Sequence, residues 1–231
     1  MIGVITFPGS NGDHDALYSI TDDVGAPARL VDYRETDLSG LDALVLPGGF
    51  AYGDALRCGA IARFSPVMNS IREFAGRGGP VLGICNGFQV LTEAHLLPGA
   101  LLRNHTLLFH SFWTHLRLER NDTSWTRGYD TGQVLRLPVA HGEGGYFADA
   151  ETLERLEGDG RVVARYSNEF GEIVDDANRN GSLHSIAAIT NEARNVVGLM
   201  PHPERATNTL IGGADGLPLM RSVLDFLSVP V

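Results

Sequence analysis

Gly83-Ile84-Cys85-Asn86-Gly87 sets a cysteine between two glycines at the end of a short apolar run, Val81 to Ile84. The run reads as a buried strand and Asn86 to Ala94 as a helix. G-x-C-x-G is then the cysteine form of a nucleophile elbow, a sharp strand-to-helix turn that pushes the nucleophile into the open. Gly83 and Gly87 lack a Cβ, so neighbouring backbone can approach and the helix can settle on the sheet. Cys85 falls at a helix N-terminus, where free N–H groups and the macrodipole favour a thiolate. Each pKa unit of depression below the free value of about 8.5 is worth about 1.4 kcal/mol. A structural cysteine among packing glycines is the competing explanation.

A thiolate that does chemistry needs a base, and the base needs something to hold it. Met200-Pro201-His202-Pro203-Glu204-Arg205 supplies both. Each proline biases the residue before it towards extended backbone, which predicts that His202 and Glu204 point to the same side. Glu204 would accept from the far imidazole nitrogen and leave the near one for Cys85. A bare His-Pro-Glu is more often a surface loop; the apolar Val196 to Leu199 just upstream and the elbow together favour the catalytic reading. An oxyanion needs backbone donors. Asn86 N–H follows the cysteine directly, and Gly49 closes the turn Pro47-Gly48-Gly49 after a strand at Ala43 to Leu46.

The elements that must position these groups are alternating strands and helices. Ile2 to Phe7, Ala28 to Val31, Ala43 to Leu46 and Val81 to Ile84 are short β-rich runs, as in parallel strands buried on both faces. Asp13 is placed to cap a helix reaching Val24, and Ser65-Pro66 to start one reaching Ala75. Loops after strands lead into helices three times, the pattern of an open, doubly wound α/β sheet, in which ligands gather at strand C-termini. Thr106 to Arg120 and Gln133 to Val139 are rich in aromatic and β-branched residues and read as appended antiparallel strands. Further on, Asp149 to Glu157 reads as a helix, Val162 to Tyr166, Ile186 to Ile189 and Val196 to Leu199 as strands, and Gly216 to Leu227 as a closing helix. The polar segment Thr123 to Thr131 reads as a mobile loop. No repeat or linker divides the chain, so residues 1–231 are expected to form one domain.

Composition narrows the chemistry. A formal net charge of −10 without a basic run argues against a nucleic-acid partner. All 18 basic residues are arginine. The absence of lysine excludes a P-loop lysine, a Schiff-base lysine and a pyridoxal-phosphate anchor, so any ATP chemistry is expected on another chain. Two cysteines, Cys58 and Cys85, make neither a disulfide framework nor a metal spacing. The N-terminal apolar run is too short for a signal or a membrane span, which points to the cytoplasm.

Gly83-Ile84-Cys85-Asn86-Gly87-Phe88-Gln89, Pro47-Gly48-Gly49 and His202-Pro203-Glu204 resemble the triad-type, class I glutamine amidotransferases. Within that group the long run from Pro47 to Ala62, with Ala140-His141-Gly142-Glu143-Gly144 and Met200 to Arg205, is similar end to end to the glutaminase subunits of phosphoribosylformylglycinamidine synthases. The resemblance implies a three-layer, flavodoxin-like α/β fold with a mostly parallel sheet. It implies that Cys85 attacks the side-chain amide of glutamine, His202 held by Glu204 moves the proton, Gly49 and Asn86 hold the oxyanion, and Gln89 helps bind the amino-acid end. Ammonia would pass to a large synthetase subunit that carries ATP and Mg and makes formylglycinamidine ribonucleotide for purine biosynthesis, with a small third subunit bridging the two. No cofactor or metal is implied in this chain. Partner binding would order the oxyanion donors around Gly49.

The chain departs from the family at Arg179, where proline is commoner, and at Gly145, where arginine is; neither touches the triad, and either would alter a surface that meets the partner. Cys58 has no elbow and reads as a packing or contact residue. His141-x-Glu143 lacks the Pro-Cys-x-x-Cys of zinc deaminases and reads as a loop near the site or the partner surface, and Tyr52-Gly53-Asp54 as part of the interface or ammonia route. His14, His95, His105, His110, His115 and His184 are scattered singly; Trp113 and Trp125 read as packing residues. Glutaminases serving other acceptors, reactive-cysteine isomerase or deglycase relatives, and a scaffold with a decayed site are the alternatives. The triad-type ending and the Gly48 to Ala62 signature speak against them.

Overall fold

Residues 1–228 are described by a computed structural model. Its centre is a nine-stranded sheet whose two halves run by different rules. Strands β1 (Ile2–Thr6), β2 (Ala28–Asp32), β3 (Ala43–Leu46) and β4 (Val81–Ile84) pair in parallel in the order β2-β1-β3-β4. Their helices are α1 (Asp13–Tyr18), α2 (Val67–Gly76) and α3 (Asn86–Glu93). Every residue of β3 and β4 is buried, as expected of strands covered on both faces.

After α3 the chain builds outward. A short β5 (Ala100–Leu102) pairs with β8 (Gly145–Phe147) in a separate two-stranded sheet. A long hairpin of β6 (His110–Leu118) and β7 (Val134–His141) forms the far edge of the main sheet. Then come α4 (Ala150–Gly158), β9 (Val162–Ser167) and β10 (Ile186–Thr190). These strands are antiparallel, in the order β10-β9-β6-β7. The last strand, β11 (Val196–Leu199), inserts between the halves, parallel to β4 and antiparallel to β10. Helix α5 (Leu217–Ser228) closes the described chain; residues 229–231 of the expected single domain lie outside the described residues.

Several expectations are corrected. Gly12, not Asp13, occupies the N-cap of α1, and no side chain caps it. The helix continues to Val24 as a π-helix over Ser19–Val24, whose outer end is gripped by Thr207 and Asn208 through Asp23. Ser65 does not cap α2; its hydroxyl pairs with Tyr52 instead. Residues 123–126 are no mobile loop: Thr123, Ser124, Trp125 and Thr126 are buried, with Thr123 and Thr126 bonded to each other and Ser124 tied to Asn195. Their polar side chains satisfy one another inside the protein, which composition alone reads as solvent exposure.

Candidate active site

The elbow forms as its residue types require. Cys85 takes φ 49°, ψ −104°, a left-handed backbone costing about 1–3 kcal/mol in a non-glycine residue. Its N–H donates to Leu199 O at 2.8 Å and its carbonyl accepts from Gln89 N at 3.1 Å, so β11 and α3 hold the turn from both sides. A Cβ on Gly87 would collide with the Leu46 carbonyl, and one on Gly83 would lie 2.8 Å from the Gly87 backbone. The two glycines therefore let α3 lie directly on β3 and β4.

His202 and Glu204 approach from the end of β11. They are not in extended backbone as expected: Pro203–Arg205 is a single 3-10 turn and only His202 is extended. The turn still brings His202 Nδ1 to 2.6 Å from Glu204 Oε1, with both side chains almost fully buried. His202 N–H donates to Pro138 O at 2.8 Å, fixing the ring's backbone to β7. Its Nε2 is buried with no hydrogen-bond partner among the described residues. Burial disfavours the charged ring, but the Glu204 carboxylate and the Cys85 sulfur more than offset it, and His202 is pushed up to about 10. The shift favours the charged ring at neutral pH.

Gly48 lies between the elbow cysteine and the imidazole. A Cβ there would lie 2.6 Å from His202 Cε1 and 3.6 Å from Cys85 Cβ. Gly49 beside it has φ +147°, and the turn is braced by the loop after β1 through Gly12 N to Gly48 O (3.0 Å) and Phe50 N to Gly9 O (2.9 Å). This is the crevice between β1 and β3, where strand order reverses in the sheet. The N–H groups of Gly49 and Asn86 have no acceptor among the described residues. Asn86 Oδ1 accepts from Ala51 N at 3.1 Å, tying the elbow to the turn. Gln89, one helical turn on, is engaged at both ends: its Oε1 accepts from Asn86 Nδ2 at 2.8 Å and its Nε2 donates to Glu143 O at 2.7 Å.

Around these groups lie residues that sequence reasoning did not find. Gly48 was visible in the same turn as Gly49, but nothing local said which glycine faces the imidazole. Tyr166, on β9, is buried and bonded to Asn180, and burial keeps its phenol protonated. His141 is not in a loop but ends β7, buried, with Nδ1 3.0 Å from Asn104 Oδ1. Nor is His110 isolated: its ring centroid lies 5.7 Å from that of His141. These residues converge from distant segments, and no spacing pattern announces them. Cys58 lies beside Asp54 and Glu143; burial and those carboxylates push its thiol far up, away from the reactive thiolate. Tyr52-Gly53-Asp54 is a tight left-handed turn, with Asp54 Oδ1 3.3 Å from Asn86 Nδ2. Arg179 lies over the Phe112 ring, and a Cβ on Gly145 would meet Asn180 O at 2.9 Å, so the two departures from the family are neighbours through Asn180.

A family model described as "CobB/CobQ-like glutamine amidotransferase domain" matches residues 1–212. The chain belongs to that family. Among amidotransferases, it is 57% identical over 221 residues to a protein of Thermomicrobium roseum named phosphoribosylformylglycinamidine synthase subunit PurQ, covering 96% of this chain and 94% of the relative. A PurQ subunit of Synechocystis is 56% identical over 220 residues, 95% of this chain and 98% of the relative. A solved structure described as PurLQS from Thermotoga maritima superposes with TM-score 0.87 at 40% identity, covering 98% of both chains. The amidotransferase fold expected from sequence is thus the fold observed. Among the described residues no group of His, Cys, Asp and Glu is arranged to hold a metal ion, and no helix is long and apolar enough to cross a membrane.

Proposed function

We propose that the chain, acting as one domain over residues 1–231, is the cytoplasmic glutaminase subunit of a phosphoribosylformylglycinamidine synthase. The observation that carries this is the buried His202–Glu204 pair at 2.6 Å, whose imidazole flanks Gly48 together with the elbow cysteine. Cys85 Sγ attacks the side-chain carbonyl carbon of glutamine, and the oxyanion is held by the N–H groups of Gly49 and Asn86. His202 gives its Nε2 proton to the departing nitrogen as the C–N bond breaks, releasing ammonia and leaving a glutamyl thioester. A water then attacks that thioester with His202 as base, and glutamate leaves as the thiol regains its proton. Glu204 holds the ring's orientation and stabilises its charge throughout. Because both ends of the Gln89 amide are engaged, its contribution to substrate binding is to hold the Glu143 backbone in place.

The acceptor chemistry belongs to a large synthetase subunit, which binds ATP and Mg and converts formylglycinamide ribonucleotide to formylglycinamidine ribonucleotide, with a small third subunit bridging the two. The lack of lysine agrees with that division. The test is glutamate release from glutamine by this chain alone, then with the synthetase subunits, formylglycinamide ribonucleotide and ATP. A low rate that rises on assembly is expected, since a partner pressing on the turn would set the Gly49 N–H against the oxyanion. No hydrolysis under either condition would overturn the reading.

A further inference from the structure

The end of the sheet opposite Cys85 carries a concentration of positive charge that glutamine hydrolysis does not use. Strands β9 and β11 begin there, each antiparallel to β10, and helices α2, α3 and α4 end there. Between them lies an open pocket of about 530 Å³. Arg72 of α2, Arg155 of α4 and Arg161, just before β9, line it, with His95 from the end of α3. Against them stands one carboxylate among the described residues, Glu192 in the turn before β11, whose side chain is 84% exposed. That excess of positive charge sits on a chain whose formal net charge is −10.

Two ordinary roles for such arginines do not account for it. Helix C-termini are partly negative and attract cations, but here other donors take their last carbonyls. Gly79 N–H donates to Phe74 O, Leu96 N–H to Leu91 O, Arg161 N–H to Leu156 O, and Asn195 Nδ2 to Ala75 O. Ion pairing explains no more. Among the described residues Arg155 has neither a hydrogen bond nor an ion pair, and Arg72 donates only to Asn69 Oδ1 at 3.1 Å. Arg161 is more than nine-tenths buried, yet it donates only from Nε, to Thr190 O at 3.1 Å. Its Nη1 is 3.6 Å from Glu192 Oε1, beyond hydrogen-bond reach. A buried guanidinium whose fork is unanswered is costly to keep.

We propose that this pocket binds a small phosphate monoester, its phosphate held by the Arg161 fork together with Arg155 and Arg72. A guanidinium fork matches two phosphate oxygens at once, and the charge on both partners strengthens each bond. The pocket is of a size that takes a small molecule rather than a bare ion. Leu96, Leu97 and Pro98 line it as well and give the ester's organic part an apolar wall.

Titration calorimetry of the full chain with ribose 5-phosphate is expected to show saturable binding, with inorganic phosphate competing and ribose giving none. Arg155→Gln alters an exposed side chain without partners; it should weaken binding about tenfold and leave the melting temperature unchanged. Arg161→Gln should weaken it further. Glu192→Gln removes the opposing carboxylate and should tighten binding severalfold, a gain that damage to the fold does not produce. No saturable binding of ribose 5-phosphate up to about 10 mM would overturn the site. So would binding that is indifferent to both Arg155→Gln and Glu192→Gln. The readout is binding alone, so its outcome is separate from that of the glutaminase test.

Discussion

The surroundings of His202 and of His141 differ by one charge. Both rings are buried, 2% and 4% exposed, and both offer Nδ1 to a side-chain oxygen. For His202 that oxygen belongs to the Glu204 carboxylate. For His141 it belongs to the Asn104 amide, itself oriented by Gly144 N–H donating to Oδ1 and by Nδ2 donating to the Leu108 and His141 carbonyls. Burial lowers both rings; the carboxylate and the thiol reverse it for His202, while for His141 no carboxylate opposes burial and the ring stays neutral. The acceptor's charge, not depth, decides which histidine holds a proton.

Exchanging the acceptors tests this directly. Glu204→Gln should make His202 resemble His141, and glutamate release by the assembled complex should fall about 10³-fold or more in kcat with little change in KM. Gly48→Ala keeps every charge but places a methyl 2.6 Å from His202 Cε1. The ring must shift, and a loss of about 10²-fold in kcat is expected together with a fall of a few degrees in melting temperature. Asn104→Asp is the converse exchange. It should move the His141 imidazole, followed by NMR, from no titration above pH 5 to a resolved titration near or above neutrality.

The same contrast sets opposite pH limbs of stability. His202, raised to about 10, contributes stability that is full below its unfolded value of about 6.5 and is lost as pH rises towards 10. His141, lowered to about 3, binds its proton only in the unfolded chain between about 6.5 and 3, so its contribution is lost as pH falls through that range. Thermal melts should show the alkaline limb flattened in Glu204→Gln and the acid limb flattened in Asn104→Asp. The smallest effect is expected at Cys58, whose thiol meets carboxylates where Cys85 meets an imidazolium. Cys58→Ser should alter glutamate release by less than about twofold, and alkylation by iodoacetamide should map to Cys85.

Much of the parallel half was legible because its signals are local. Ala43–Leu46 and Val196–Leu199 fall where the apolar runs placed them, and the elbow, the His202–Glu204 pair and helix α4 follow from neighbouring residues. What escaped depends on partners far along the chain. The strands β5 and β8 are three residues each and exist by pairing with one another across more than forty residues. The π-helix answers to Thr207 and Asn208, and the burial of residues 123–126 to Asn195. His141 and His110 meet only because β6 and β7 pair in the register His110↔His141.

The position of β11 has a consequence for biosynthesis. It is the last strand to be translated, yet it lies in the middle of the sheet, zipping β4 to β10. Until Val196 to Leu199 leave the ribosome, the nascent chain carries two half-sheets with raw edges at β4 and β10, each able to pair wrongly. The elbow thiol is then without its imidazole, three residues further on. Sealing the sheet and bringing the imidazole to the cysteine are therefore coupled, and a nascent chain that ends before His202 has neither.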